Sequence, residues 1–113
     1  MVEADSNDLK EVVARIRTQA QEKQIRITQH AHQEMAEEDI ALDEVEQAIA
    51  DAMILEKYPN HRRGACCLLY GTTHGGRPLH IVCTTARPML IIITVYEPKP
   101  PKWLSPSQRR PSQ

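Results

Sequence analysis

At 113 residues the chain fits one domain around one core. No apolar run approaches the ~18 residues that a membrane-spanning helix needs, and the acidic start Met1-Val2-Glu3-Ala4-Asp5 lacks the pattern of a signal or transit peptide. Three cysteines, Cys66, Cys67 and Cys83, form no Cys-x-x-Cys pair; an odd count argues against a disulfide framework and for a reducing compartment, most simply a cytoplasm.

The net charge of −1 hides an asymmetry. Residues 1–56 carry five Lys or Arg against fourteen Asp or Glu, and residues 57–113 carry nine against one. Either solvated acidic helices sit opposite a basic half, or the basic half presents a surface to an anion such as nucleic acid.

In chain order, Leu9, Val12, Val13, Ile16 and Ala20 form one apolar stripe, which predicts a helix from about Asp8 to Lys23, with Asp8 and Glu11 as a capping box. Ile25 to Thr28 alternates and reads as extended. Thr28 suits the N-cap of a second helix over Gln29 to Glu38, with Ala31 and Met35 inward and Asp39 as a left-handed end. A third helix spans about Leu42 to Ala52, with Leu42, Val45 and Ile49 as its stripe and Ile40 stapled onto Val45.

From Met53 the period changes to that of strands. Four are predicted, over Met53–Tyr58, Ala65–Tyr70, Leu79–Thr85 and Met89–Glu97, with a Gly-rich turn over Gly71–Gly76. The last is the most apolar stretch, mostly β-branched or aromatic, and bounded by Pro88 and Pro98. Short turns make this an antiparallel meander. Helices in a block before strands mean α+β, with the helices on one sheet face. Residues 1–24 form a helical extension, 25–103 the α+β domain, extended and polyproline-like from Pro98, and 104–113 a disordered tail.

The two faces of that sheet differ. Leu79, Ile81 and Cys83 with Ile91, Ile93 and Val95 form the helix-covered core. His80, Val82 and Thr84 with Ile92, Thr94 and Tyr96 form a half-polar face. A turn centred on Arg87 sets His80 opposite Thr94. Here His80 offers a general acid or base, Tyr96 a proton donor, Thr94 a hydroxyl, and Arg77 a grip on an anion. The plainer reading is a solvated face with cross-strand pairs.

Other groups have two readings each. His30 and Glu34 share a helix face while His32 points away, so a metal would lack a third ligand; His30 either caps and packs or aims at the sheet. The cysteines read as core filler, with Cys83 opposite Cys66 or Cys67 according to turn register. His61-Arg62-Arg63 is a basic loop, either solvated or holding a phosphate.

Several stretches together resemble the bacterial domain-of-unknown-function family 4258 (DUF4258) over about residues 25 to 103. They are His30-Ala31 with Met35, Ile40 with Val45, Tyr58-Pro59, Arg63-Gly64, Gly76 to Val82, and Ile92 to Pro98. That family is similar to the RelE and BrnT toxins, within barnase-like ribonuclease folds. The resemblance implies helices packed on a curved antiparallel sheet and RNA cleavage without metal or cofactor. In such chemistry a base activates the ribose 2′-hydroxyl, cations hold the phosphate and an acid protonates the leaving oxygen. The matching positions are His30, His80, Thr94 and Tyr96, with Arg63 and Arg77 as phosphate holders; RNA and an antitoxin-like protein are the implied partners. Relatives carry arginine where Glu34 and Glu38 stand here, and acids there repel RNA. The alternative is a non-catalytic interaction module. It would dock a protein, or a second copy as a homodimer, through the half-polar face or through the tail anchored by Trp103. The catalytic reading needs His80 and Tyr96 to emerge together, away from the helices, on accessible ground.

Overall fold

A computed structural model describes residues 2–100 and 103–109. The first helix starts earlier than its capping signal indicates: α1 spans Val2–Gln21, so Asp8 lies inside it rather than at its end. Lys23, at φ 63°, turns the chain out of the helix. The second helix forms where its caps put it. In α2 (Gln29–Glu38) the Thr28 hydroxyl accepts a hydrogen bond from the Ala31 N–H at 3.1 Å, and Asp39 adopts the left-handed conformation. Helix α3 covers Leu42–Ala50.

The sheet corrects the four-stranded meander. Strands β2 (Met53–Tyr58), β3 (Cys66–Thr72), β4 (Pro78–Thr84) and β5 (Leu90–Tyr96) run antiparallel as expected. The extended Ile25–Ile27 segment, β1, joins them as a fifth strand parallel to β5, giving a mixed sheet of order β1-β5-β4-β3-β2. The pairing is non-local, which is why three alternating residues did not announce it.

One face of the sheet lies under the helices. Leu69, Leu79, Ile81, Leu90, Ile92 and Val95 pack there against Ile16, Ala31, Met35, Val45 and Ile49. Gly71 fixes how close α3 comes: a Cβ at that position would lie 1.9 Å from the Ala48 carbonyl oxygen. Helix α1 is tied to the far end, where Gln19 Nε2 donates to the carbonyls of Arg87 and Pro88 at 2.9 and 3.1 Å.

The register differs from expectation in two ways. His80 pairs with Tyr96 and Val82 with Thr94, two residues from the predicted alignment, so these side chains keep their predicted face. A bulge then skips Ile93, and Cys83 pairs with Ile92. Leu90 and Ile92, not Ile91 and Ile93, therefore enter the core. Cys83 sits opposite Cys67, and all three cysteines are free thiols.

The C-terminal segment is the largest departure. Read as disordered from residue 104, it forms a small hairpin, β6 (Trp103–Ser105) and β7 (Gln108–Arg109), seated on the second sheet face. The rest of that tail, residues 110–113, lies outside the described residues.

Candidate functional site

His80 stands in the middle strand of the sheet, on the face turned away from the helices, and is fully buried. Its Nδ1 lies 3.1 Å from the Tyr96 hydroxyl and its Nε2 lies 2.6 Å from the carbonyl oxygen of Pro106 in the hairpin. A carbonyl has no hydrogen to give, so Nε2 carries the proton. In the neutral ring Nδ1 then accepts from the tyrosine. That His80 and Tyr96 share a face is as the alternation required; the full burial of His80 is not. The hairpin closes over His80, while Tyr96 stays half-buried.

Trp103 makes that closure. It is 3% exposed, and its ring centroid lies 4.3 Å from that of His80 at 88°. Its Nε1 sits beside the Tyr96 hydroxyl without a hydrogen bond of normal length. Arg109 lies over the indole at 4.6 Å and forks onto Glu56 with contacts of 3.0 and 2.8 Å. Arg109 in turn holds the Glu56 carboxyl below its ordinary value. Burial pushes the Tyr96 phenol up, and burial with the Glu56 hydrogen bond raises that of Tyr58. Tyr70 completes the ring cluster, 6.0 Å from His80.

The other expected site residues are dispersed. Thr94 is half-buried and opens, with Tyr96, onto a shallow groove of about 390 Å³ that Glu34, Glu38 and Glu97 make acidic. The His30 side chain is 65% exposed on α2, with its Nε2 3.4 Å from Glu34. Arg77 is not a free phosphate holder. Its guanidinium donates to Glu97 at 2.8 Å and to the carbonyls of Asp39 and Glu38 at 2.9 and 2.6 Å, closing the C-terminus of α2.

Glu34 and Glu38 have a structural task. Beyond β1 the edge of β5 would be bare. Glu34 instead accepts from the Val95 N–H at 2.9 Å and Glu38 from the Glu97 N–H at 3.0 Å. Four residues of helix rise about 6 Å and two residues of strand about 7 Å, so the two carboxylates match alternate donors.

Arg63 is exposed. With Arg26 it flanks Ile91 and Thr28 in an open groove of about 320 Å³ at the other end of the second face. Arg87 lies alongside, its guanidinium donating to the Arg63 carbonyl at 3.2 and 2.7 Å. Sequence reasoning had passed over Arg26 and Arg87, which become neighbours of Arg63 only through the β1–β5 pairing and the folding of the β2–β3 loop.

Residues 27–97 match the family described as Domain of unknown function (DUF4258), well over half of the chain. The chain belongs to this family. No curated protein and no solved structure matches it. The DUF4258 region takes in α2, α3 and β2–β5, with His80, Tyr96, Arg63 and Arg77; the hairpin that buries His80 lies outside it. Among the described residues of this DUF4258 protein, no three His, Cys, Asp or Glu are grouped to hold a metal, and no helix is long and apolar enough to cross a membrane.

Proposed function

We propose that this protein binds RNA, at the arginine end of its second sheet face. The observation that carries this reading is the state of the arginines. Arg77 and Arg109 are spent on carboxylates. Among the described residues Arg15 and Arg17 on α1 and Arg26, Arg62, Arg63 and Arg87 have no acidic partner, and Arg26, Arg63 and Arg87 meet around Ile91 and the neighbouring loop. Guanidiniums without an acidic partner beside an apolar strip suit phosphates and the ribose or base between them. The likeness of DUF4258 to the RelE and BrnT toxins points the same way, and the three free cysteines accord with a cytoplasmic setting.

Binding is favoured over cleavage in the closed form, because the Pro106 carbonyl occupies His80 Nε2 and the ring is fully buried. Metal-independent cleavage by His80 and Tyr96, with Thr94 nearby, belongs to a form in which the hairpin has moved. A second reading rests on the hairpin itself: a face that takes a peptide segment in cis suits an antitoxin-like chain or a second copy in trans.

The test is anisotropy of a short unstructured labelled RNA at several salt concentrations. Binding should weaken steeply with salt, and Arg26→Gln and Arg63→Gln should each lower the slope of log affinity against log salt by about 1. No binding at low salt refutes the assignment. RNA cut in the presence of chelator, and left intact by His80→Ala and Tyr96→Phe, would restore the catalytic reading for the closed protein.

A further inference from the structure

The chain contains three tyrosines, one tryptophan and no phenylalanine. None of these four rings lies in the helix-covered core. Three gather on the second face around His80, namely Tyr70, Tyr96 and Trp103, and Tyr58, from the row of Cys66 and Thr84, bonds to Glu56 beside Arg109. The core is built from aliphatic residues, so the rings are not there to supply bulk. We infer that the ground beneath the hairpin is a nucleobase site, closed in the free protein by the chain's own Trp103. The inference rests on the RNA-binding reading and extends it to a second place on the same surface.

The contacts of the hairpin are ones a nucleotide can replace. Trp103 sets its ring perpendicular to that of His80, Pro106 presents a carbonyl to His80 Nε2, and Arg109 presents two N–H groups to Glu56. A base offers a ring to stack, carbonyl acceptors and imino or amino donors. The site also continues from the arginine end. Ile91 and Tyr96 share the second face of β5, and five strand residues span about 17 Å, a distance a few nucleotides bridge.

The hairpin is held in a way that permits exchange. It forms its own two-stranded sheet and shares no ladder with the five-stranded one. Such a hairpin is marginal without its side-chain anchors. Its anchors include the ring contact of Trp103 with His80, the hydrogen bond from His80 Nε2 to Pro106 and a partly exposed ion pair. Pro98, Pro100 and Pro101 stand in the sequence between β5 and the hairpin, and the family match ends at residue 97.

As the only tryptophan, Trp103 reports on this directly. Titrating the full chain with single-stranded RNA should shift its emission to the red and raise its quenching by acrylamide severalfold. Arg109→Gln frees Glu56 without touching the arginine end. It should bind the same RNA roughly tenfold tighter, the scale of one partly exposed ion pair with one cation–π contact, although it has lost a positive charge. Trp103→Ala, with the indole gone, should also bind tighter. RNA binding seen by anisotropy, with Trp103 emission unmoved and both variants no tighter than the parent, overturns the nucleobase site and leaves the arginine end standing. Absence of RNA binding by parent and variants alike overturns both.

Discussion

The carbonyl oxygen of Pro106 sits 2.6 Å from His80 Nε2, so the one imidazole on the second sheet face has both nitrogens engaged inside the fold. The pair predicts the tautomer. In the neutral ring, nitrogen chemical shifts should show Nε2 protonated and Nδ1 as an acceptor. His80→Ala would leave a cavity with the Pro106 carbonyl and Tyr96 hydroxyl unpaired, at a cost of about 2–4 kcal/mol in urea unfolding. A loss under ~0.5 kcal/mol would mean the ring is not buried as described.

Gly71 is expected to resist even the smallest substitution. Its φ is ordinary; the obstacle is the Ala48 carbonyl, 1.9 Å from where a Cβ would stand. Gly71→Ala must push α3 off β3 and should cost about 1–3 kcal/mol or more. Gly76, at φ 87° with open space around it, should lose about 1 kcal/mol as Ala, for conformational reasons alone. Thermal melts of the two variants separate the mechanisms.

Glu34 and Glu38 should matter for solubility as well as stability. Replacing both with Ala uncovers the Val95 and Glu97 N–H groups on the edge of β5. Each should cost about 1 kcal/mol, a charged hydrogen bond discounted for partial exposure. The bare edge should also promote self-association, visible in light scattering. Glutamine keeps an acceptor oxygen, so Glu34→Gln with Glu38→Gln should stay monodisperse.

Hairpin docking should depend on pH in the acid range. Arg109 lowers the Glu56 pKa in the folded state from its ordinary 4.5. A depressed carboxylate contributes stability above its unfolded pKa and loses it as pH falls through the folded value. Trp103 emission should therefore begin to move toward that of water-exposed indole only below the ordinary carboxylate range. In Glu56→Gln that transition should be absent.

The thiols should be slow to react in the native protein. Burial pushes the Cys66 pKa up, and the Cys67 thiol together with burial does the same for Cys83. Both therefore hold little thiolate near neutral pH. Ellman's reagent should label them slowly until urea unfolds the chain, and added reductant should leave the melting temperature unchanged.

Much of the local structure was legible because its causes are local. Thr28 caps α2 through a hydrogen bond three residues away, and Asp39 ends it by its own backbone angle. Alternation along β4 put His80 and Tyr96 on one face, and a register error of two residues could not undo that. The bulge at Ile93 was not legible. A run of Leu90 to Ile93 is apolar on both sides, so parity carries no signal there, and only packing under α2 selects Leu90 and Ile92.

The sequence alone determined the caps of α2, the four strands β2 to β5 and the shared face of His80 and Tyr96, since these follow from contacts a few residues apart and from the two-residue period of a strand. Tertiary structure decided what each face meets. Arg77 was claimed by the carbonyls of α2, Glu34 and Glu38 by the edge of β5, and the His80–Tyr96 pair by Trp103 and Pro106. A side chain's accessibility is a property of whatever distant segment folds back over it, and a hairpin of polar composition advertises no such destination.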